Sequence, residues 1–556
     1  MLDKTEKAVS RVLLINSPRI SDEMLNSHTG APQLIEVYPP VGLLYLSATV
    51  KRDLPGVDVK VVDLHYESIK RHHQGEMVDW ASICQSWIDD YRPDMVGLSC
   101  MFGASYDYVE QYGGFIREKY PEVILVGGGV HITALAKENT LGNLFDFVCL
   151  NEAEYHFCGL LRYLNGEQED MTGVVAVNDS MLKNPQDLLP GNLSEDQVDN
   201  LPMPEWSQID LESYHKYGCV SASQTYSADA PIATILTERG CTARCTFCSV
   251  RNFNGFGVRG HSPERVLGEI DALYKDHGIR HIDLLDDDFT FDRDRVMRIM
   301  DGLIARNYDL TLSCGNGVRL GTLDDEMLGT MVEAGVRYFS LGIESGDPKV
   351  LKDVKKPLTL EILWDKLPLL HKHSEIYWRA NFIIGFPGET QEQMDMTFKL
   401  AKDIELDWSL FSICKTLPNT EMYEDLLSTG NVTASKNDDY AFNAVNGTAN
   451  IELEGQKIFD LAYHKNLALN FRDNTNLKGR NIRRAITDFE RVTTIAQDHA
   501  VAWNCIAQGY TQLGETDRAH EASTRASKIL SESEVWRNHF EAIGMEPVAK
   551  GYPVGS

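Results

Sequence analysis

The sequence lacks any long apolar run. Among its 556 residues, no stretch approaches the roughly 18 consecutive apolar residues typical of a helix that crosses a bilayer. The first residues, MLDKTEKAVSR, contain no apolar signal core and lead directly into a predicted strand. We therefore predict that the chain has no transmembrane segment and is cytoplasmic.

Positive charge is also scarce. The chain has 53 Lys and Arg residues against 82 Asp and Glu residues, and its formal net charge is −29. A protein that holds nucleic acid over a broad surface needs clustered Lys and Arg, and anionic membranes attract the same residues. We therefore predict no nucleic-acid partner and no adsorption to anionic membranes.

Cysteine occurs in an odd number, 11. In a long chain without a visible secretion signal, this count argues against a disulfide framework. The question becomes whether some of the thiols bind metal.

Short apolar runs alternate with amphipathic stretches in the first part of the chain, residues 1–166. The strand candidates are 11–18, 57–64, 94–100, 123–129 and 145–152. This alternation predicts the α/β class, with a parallel, doubly wound, Rossmann-like sheet. Ligands of such sheets bind beyond the carboxyl ends of the strands.

A second strand–helix series follows a linker at residues 167–230. The linker starts with a predicted small hairpin within 171–185 and continues as a Pro-rich, irregular stretch. Its strand candidates, all within residues 231–430, are 232–240, 281–289, 309–317, 338–346, 378–386 and 408–416. Six strand–helix units predict a partial or full (β/α) barrel of the TIM type.

Strand patterns stop after residue 430, so residues 431–556 are predicted to form a helical C-terminal domain. Several residues have the spacing of a tetratricopeptide (TPR) helix pair: Trp503, Ala507, Tyr510, Gly514, Ala519 and Ala526. Because only one complete copy is visible, a helical cap packed on the barrel is an equal alternative.

Three clustered cysteines are the strongest chemical signal. Cys241, Cys245 and Cys248 have Cx3CxxC spacing directly after the first strand of the second series. Thiolates favour iron–sulfur clusters or zinc, and a structural zinc site would need a fourth ligand, which does not stand nearby in the sequence. A four-iron cluster on three cysteines would leave one iron open for a substrate or cofactor.

With Phe247 at the aromatic position, the motif resembles the Cx3CxΦC signature of the radical S-adenosylmethionine (SAM) superfamily. The resemblance implies a [4Fe–4S] cluster on the three cysteines, with the open iron chelating SAM. It also implies reductive cleavage of SAM to methionine and a 5′-deoxyadenosyl radical, with an electron donor such as flavodoxin or ferredoxin. The cofactors carry this chemistry, and the protein positions them.

Further motifs match the same superfamily in chain order, at the ends of later predicted strands. The resemblance implies contacts with the amino group, the ribose or carboxylate, and the adenine of SAM. The residues in these positions are Asp286, Asp287, Asp288, Arg319, Glu344, Ser345 and Gly385. Taken singly, each motif could be no more than an acidic or tight turn.

The motifs of the first domain indicate one group of enzymes within this superfamily. Its strand ends carry Pro40, Gly42, Ser99, Gly127, Gly128, Gly129 and Glu152, a succession similar to the cobalamin-binding domain of cobalamin-dependent radical SAM enzymes. Glycine lets a ligand approach the backbone closely. The DxHxxG pattern that supplies a lower histidine ligand to cobalt is incomplete, because Ser68 follows Asp63 and His65 where glycine is required. Cobalamin binding is therefore what the resemblance implies, and this pattern does not provide a lower ligand for the cobalt.

The leading hypothesis is a cobalamin-dependent radical SAM methyltransferase. It would methylate an unactivated carbon of a small-molecule, natural-product or peptide substrate, through a 5′-deoxyadenosyl radical and methylcobalamin. The alternative is cyclisation, rearrangement or carbon–carbon coupling without net methyl transfer. A metal-sensing binding protein is disfavoured by the intact strand-end motifs. A methylthiotransferase acting on transfer RNA is disfavoured by the acidic charge and by the lack of further clustered cysteines.

Overall fold

The computed structural model describes residues 8–27, 37–137, 141–167, 171–177, 191–217, 230–430 and 455–548. Two mainly parallel sheets follow each other along the chain, each with helical connections, and a helical region ends it. This arrangement confirms the predicted α/β class. Within the described ranges, no helix combines the length and the apolar character needed to cross a membrane.

The first sheet has the strand order β2-β1-β3-β4-β5-β6, and only β6 runs antiparallel to its neighbour. Val12 and Leu14 of β1 face one hydrophobic core and Leu13 and Ile15 face the other, because helices cover both faces. The strand order reverses between β1 and β3, because β2 lies on one side of β1 and the later strands lie on the other. Open α/β sheets commonly bind ligands at such a point. The strands are β1 (Arg11–Asn16), β2 (Asp58–Asp63), β3 (Met95–Ser99), β4 (Ile124–Gly128), β5 (Phe147–Cys149) and β6 (Val174–Ala176).

Seven helices accompany this sheet. They are α1 (Asp22–Ser27), α2 (Val41–Asp53), α3 (Leu64–His73), α4 (Trp80–Tyr91), α5 (Tyr106–Lys119), α6 (Val130–Lys137) and α7 (Glu154–Leu164). The predicted linker contains β6 and two short helices, α8 (Glu195–Asp199) and α9 (Leu211–Tyr217). The rest of that linker, 168–170, 178–190 and 218–229, lies outside the described residues.

The second sheet has six parallel strands in the order β7-β10-β11-β12-β13-β14, and β8 and β9 form a separate antiparallel pair. In the described residues β7 and β14 do not pair with each other, so the barrel is partial. The strands are β7 (Ile232–Ile235), β8 (Glu238–Arg239), β9 (Arg259–Gly260), β10 (His281–Leu284), β11 (Thr311–Val318), β12 (Val336–Glu344), β13 (Tyr377–Ile384) and β14 (Trp408–Ile413).

Eight helices connect or follow these strands. They are α10 (Val250–Asn254), α11 (Pro263–Asp276), α12 (Arg293–Arg306), α13 (Asp325–Glu333), α14 (Pro348–Asp353), α15 (Leu360–Lys372), α16 (Gln391–Asp403) and α17 (Glu421–Ser428). Side-chain caps fix the first residue of several of these helices. Asp292 accepts from the Arg295 amide at the start of α12, and Thr359 accepts from the Ile362 amide at the start of α15.

The C-terminal region is helical where it is described, while residues 431–454 and 549–556 of the predicted domain lie outside the described ranges. Its helices are α18 (Gly455–Leu467), α19 (Ile482–Ile495), α20 (Ala500–Gln512), α21 (Thr516–Glu532) and α22 (Glu534–Ile543). The region packs against the barrel: the Asn470 side chain accepts from the Ser409 amide at 2.8 Å and donates to the Ser409 carbonyl at 2.6 Å. This pairing covers β14, an edge strand whose backbone groups would otherwise lack partners.

Helix α19 lies beneath the barrel, at the amino ends of β13 and β14. Arg484 forms a 3.1 Å ion pair with Asp407, which precedes β14. Tyr377, the first residue of β13, donates a 3.3 Å hydrogen bond to the buried Asp488 of α19. Burial, together with the nearby Asp407 carboxylate, raises the pKa of Asp488 to about 8.

This raised pKa makes stability depend on pH. Between the unfolded value of about 4 and the folded value of about 8, the folded state holds the Asp488 proton more tightly, so wild-type stability falls as pH rises through this window. We expect Asp488→Asn to avoid that loss. Its melting temperature should match wild type near pH 4 and exceed it by roughly 2 °C or more near pH 8.

Thermal unfolding of the metal-free protein across this pH range measures the effect. The control is Asp517→Asn, which removes an exposed carboxylate from α21 and should give a difference that does not change with pH. A constant difference for Asp488→Asn as well would contradict the prediction.

Candidate metal and cofactor site

The three cysteines lie in the loop after β8, at the carboxyl end of the barrel strands. Gly240, which precedes Cys241, has φ +91°, and a Cβ atom there would lie 2.3 Å from the Gly257 carbonyl oxygen. Only glycine fits both the conformation and the space. The Gly257 amide donates to the Cys241 carbonyl at 3.2 Å, which holds the loop where the two backbones approach.

The far end of the loop is anchored between two helices. The Thr246 amide donates to the Val354 carbonyl at 3.0 Å, and the Thr246 carbonyl accepts from the Met422 amide at 3.0 Å. The Phe247 ring lies 5.6 Å from the Phe386 ring in a small apolar cluster at the ends of β13 and β14. The aromatic residue of the motif therefore fixes the loop to the barrel.

All three thiols are free and half-buried. Burial raises the pKa of each, that of Cys248 to about 11, so a metal centre is needed to hold them as thiolates. The Ala243 amide lies 3.4 Å from Cys241 Sγ as a donor. Within the described part of the chain, no three His, Cys, Asp or Glu side chains converge on a point suited to one metal ion. In a cluster each cysteine binds a separate iron, so such convergence is not required.

Two predicted residues meet beside Cys241. Arg319 donates through one terminal nitrogen to both Asp288 Oδ2 and Thr242 Oγ1, and Asp288 Oδ2 lies 3.8 Å from Cys241 Sγ. Arg319 is accessible enough for its guanidinium to reach a ligand, with 26% of the side chain exposed, whereas Asp288 is buried. An orienting carboxylate and an accessible cation thus flank the first cysteine.

A lysine that the sequence analysis missed lies on the other side of the loop. Lys356 forms a 2.8 Å ion pair with Glu344 at the end of β12, and its charge lowers the pKa of Cys245 against the larger raising effect of burial. Glu344 has φ +71°, a conformation that residues other than glycine rarely adopt. Gly342 leaves the space for this pair, since a Cβ atom there would lie 2.9 Å from Lys356 Nζ.

The other acidic residues of the predicted SAM motif have protein partners. Asp286 is buried and accepts from the amides of Thr237 at 2.6 Å and Glu238 at 3.1 Å. Asp287 accepts from the Asn254 side chain at 2.9 Å, and burial raises its pKa to about 6. The structure therefore gives Asp286 a positioning role at the turn before the cysteine loop. Asp288 lies beside Cys241 Sγ, and the charge of Asp287 contributes to raising the pKa of Cys241 and Cys248.

Ser345 and Gly385 also serve local geometry. Ser345 is buried; its hydroxyl lies 3.2 Å from that of Thr397 and accepts from the Asp347 amide at 3.1 Å. Gly385 has φ +79°, and its amide donates to Glu389 Oε2 at 2.6 Å. These residues shape the strand ends, and Gly385 exposes no side chain that could obstruct a ligand.

The predicted cobalamin residues separate into two groups. At Gly127 a Cβ atom would lie 3.0 Å from the Phe145 ring, and at Gly129, which has φ +98°, it would lie 2.6 Å from the Cys100 carbonyl oxygen. These two glycines are explained by packing of the chain against itself rather than by a ligand.

The second group, Pro40, Gly42, Ser99 and Gly128, has no such close contact at its glycines. We call these residues the open edge of the first sheet. Ser99 and Gly128 are in-register neighbours at the carboxyl ends of β3 and β4, and the nearest atom to a Cβ at Gly128 would be 3.9 Å away. A Cβ at Gly42, close to Pro40 at the start of α2, would meet nothing within 4 Å. The exposed Met101 and Phe102 follow β3. This edge offers small residues and apolar surface to a large ring.

The same edge of the first sheet faces the cysteine loop. Lys137, at the end of α6, donates to the Asn252 carbonyl of α10 at 2.8 Å, only four residues beyond Cys248. Asn419, before α17, donates to the Ala134 carbonyl of α6 at 3.5 Å. The carboxyl ends of both sheets thus meet, although the two groups of motifs are more than a hundred residues apart.

Glu152 lies in the contact between the two sheet domains. Its carboxylate forms ion pairs with Arg239 at 3.2 Å and Arg259 at 2.7 Å and accepts from the Leu193 amide at 2.8 Å. Arg239, two residues before Cys241, also pairs with Glu154 at 2.6 Å. The structure therefore assigns Glu152 to the domain interface, because both its oxygens already have buried protein partners.

Removing this charge should weaken the interface. We expect Glu152→Gln to lower the free energy of unfolding by about 3 kcal/mol, because it leaves two largely buried guanidinium groups without a full counter-charge. Urea unfolding of the metal-free protein measures the change. The control Glu264→Gln breaks an exposed pair with Arg298 and should have no measurable effect; an equally small effect for Glu152→Gln would contradict the assignment.

Comparisons with known proteins agree with this geometry. The sequence profile of the radical SAM superfamily matches residues 235–401, and that of the B12 binding domain matches residues 35–161. An uncharacterised methyltransferase of Pyrococcus horikoshii is 30% identical over 390 residues, which are 69% of this chain and 78% of that protein. Cytidylyl-2-hydroxyethylphosphonate methyltransferase of Streptomyces wedmorensis is 26% identical over 78% of this chain and 86% of its own length.

A solved structure shares the fold. The radical SAM methyltransferase TsrM of Kitasatospora setae, with cobalamin and a [4Fe–4S] cluster bound, superposes with a TM-score of 0.59 and 17% identity, covering 76% of this chain and 78% of that one. The two profile matches and the 30% identical relative confirm the family predicted from the cysteine motif and the first-domain motifs.

Proposed function

Because the chain belongs to the radical SAM enzymes that carry a B12-binding domain, we propose that it is a methyltransferase that methylates an unactivated carbon of a small molecule or peptide. Both relatives described above are named as methyltransferases.

One observation carries the proposal: the open edge of the B12-binding domain faces the cysteine loop. The contact of Lys137 with Asn252 fixes the ends of α6 and α10 together, and the Glu152–Arg239 pair fixes the strand ends beside Cys241. We infer that a substrate carbon in the barrel would lie between the two cofactors, enclosed by the two domains. A methyl transfer that needs both cofactors requires this enclosure.

The residues fit the cofactors. Cys241, Cys245 and Cys248 would hold the cluster, because three free thiols occupy one anchored loop, and Ser99 and Gly128 would border the cobalamin. When bound, the cluster and SAM supply a hydrogen-abstracting radical, and cobalamin supplies the methyl group.

The surrounding side chains position SAM and exclude water. The methionyl part of SAM carries a carboxylate, and Lys356 and Arg319 present cations on either side of the cysteine loop. Asp288 and Glu344 orient these two cations through their ion pairs. Phe247 and Phe386 close the apolar side of the loop, which limits solvent access to the reactive atoms.

The reaction also needs a reductant and a methyl acceptor. We propose a small electron-transfer protein such as flavodoxin or ferredoxin as the donor, and the cytoplasm, where thiols stay reduced, as the location. The exposed Phe256 and Phe291 lie beside the cysteine loop and the Asp288 turn, and they offer a surface for that contact.

Anaerobic reconstitution with iron, sulfide and cobalamin tests the proposed reaction. With SAM, a reductant and candidate metabolites, we expect 5′-deoxyadenosine, S-adenosylhomocysteine and a product heavier by one CH2 unit. A product of unchanged carbon count, formed without S-adenosylhomocysteine, would support cyclisation or rearrangement instead and would overturn the methyltransferase proposal.

Cys245→Ala tests the metal site. We expect the variant to lose the visible absorption of the cluster and all SAM cleavage, because two thiolates of one loop cannot retain a four-iron centre. The control is Cys505→Ala, which removes a buried thiol of α20 and should keep both properties. SAM cleavage by Cys245→Ala would refute the assignment.

Lys356→Met tests the positioning of SAM. We expect SAM to bind about tenfold more weakly, because a charge-assisted contact is lost, and Lys356→Arg to lose less. Equilibrium dialysis with the reconstituted protein measures binding apart from turnover. Lys352→Met changes an exposed lysine of α14 and should bind SAM normally; an unchanged dissociation constant for Lys356→Met would exclude the contact.

A further inference from the structure

The inner face of the barrel carries a polar layer below the cysteine loop. On β12 and β13, Phe339 and Trp378 belong to the core beneath the surrounding helices. Side chains alternate between the two faces of a strand, so the intervening Ser340, Arg379 and Asn381 face the interior. Their hydrogen bonds agree, since Asn381 donates to Ser340 Oγ at 2.6 Å and accepts from Arg379 Nε at 3.0 Å.

Arg379 is the cation of this polar layer. Besides its hydrogen bond to Asn381, Arg379 lies over the Tyr338 ring, whose centre is 6.0 Å from the guanidinium carbon. In the part of the chain that the structure describes, no carboxylate lies within ion-pair distance of Arg379, whereas Arg239, Arg259, Arg295 and Arg319 near the site all have one. Its two terminal nitrogens therefore retain their hydrogen-bonding capacity.

Two polar groups of β10 that face the same interior have hydrogen-bond partners on β11. Asp283 of β10 accepts from Ser313 Oγ at 2.5 Å, and β11 and β12 separate it from β13. His281, on the same face of β10, bonds to Thr311 and Ser313, and burial lowers its pKa to about 4, so it is neutral at physiological pH. Within the described residues Arg379 therefore has no ion-pair partner, although the protein has a net charge of −29.

The position of Arg379 suits a ligand group. Below it, the stacked rings of Tyr338 and Tyr377 and the helix α19 close the barrel. Above it, β12 continues from Ser340, the register partner of Arg379, for four residues to Glu344, which corresponds to about 13 Å. A small molecule held at Arg379 would extend towards the cysteine loop.

We propose that Arg379, with Asn381, binds an oxyanion of the methyl acceptor, either a carboxylate or a phosphonate or phosphate group. The inference rests on the proposed function, because it identifies the bound molecule as the substrate. A guanidinium group with two available nitrogens matches the paired oxygens of such groups. The acceptor carbon would lie at the opposite end of the molecule from the anion, facing the cofactors.

Anion binding by the reconstituted holoenzyme tests the proposal without knowledge of the substrate. The probes are acetate, methylphosphonate and acetamide, the last a neutral molecule of the shape of acetate. Thermal stabilisation over a range of probe concentrations yields an affinity for each. We expect one or both anions to stabilise the protein, acetamide not to, and the better anion to identify the oxyanion.

Three variants locate the binding. Arg379→Gln should weaken the anion at least about tenfold, and Arg379→Lys should weaken it less, because it keeps the charge. Asn381→Asp keeps Arg379 but places a carboxylate beside it, and should also weaken anion binding. Arg525→Gln, at an exposed arginine of α21, should bind like wild type.

Equal affinities in wild type and Arg379→Gln, or stabilisation by acetamide as strong as by acetate, would overturn the proposal. Visible cluster absorption, recorded for each protein, reports on the metal site separately. Arg379-dependent anion binding in a protein that assembles no cluster would contradict the proposed function and still support an oxyanion site in the barrel.

Discussion

The buried ion pairs around Arg239 are the constraint on which the rest of the site depends. Arg239 comes two residues before the first cysteine and bonds to Glu152 and Glu154 of the preceding domain. Separating the domains would leave these charges without partners at low dielectric, which is far more costly than losing an exposed pair. The network therefore fixes the carboxyl edge of one sheet against that of the other, and the cysteine loop starts from a fixed point.

The cysteine loop is held at both ends by interactions that have little to do with metal. Gly240 allows the backbone to approach Gly257, and Thr246 bonds between Val354 and Met422. The barrel thus positions the loop through contacts of the chain with itself. This pre-organisation matters because the thiols are half-buried, where their charged forms are unfavourable until a metal centre compensates them.

Cationic side chains accompany the acidic residues of the site. The chain is strongly acidic, yet Arg319, Lys356 and Arg379 present cations along the path from the cysteine loop into the barrel. Two of them are oriented by a carboxylate, and Arg379 is oriented by an amide. Interactions of these cations inside the barrel are screened less than interactions on the surface, because the dielectric constant is lower there.

Sequence patterns alone predicted the order of strands and helices, the α/β class and the family. Apolar runs and helical periodicity are local properties, and three cysteines in one loop need no distant partner to be recognised. The structure confirms both strand series, with bounds that differ by a few residues, and a partial rather than a closed barrel. It also extends the first sheet by β6, which lies in the segment of the linker predicted as a small hairpin and pairs with β5.

Tertiary structure alone decided which of the motif residues reach the site. Asp286 and Asp288 are two residues apart, yet one is bonded into a turn and the other lies beside Cys241. Glu152 belongs to the domain interface. Lys356 pairs with Glu344 at the site, although helix α14 separates the two residues in the sequence. These outcomes depend on contacts between residues distant in sequence, which no local pattern encodes, whereas secondary structure and a single-loop ligand set follow from neighbours along the chain.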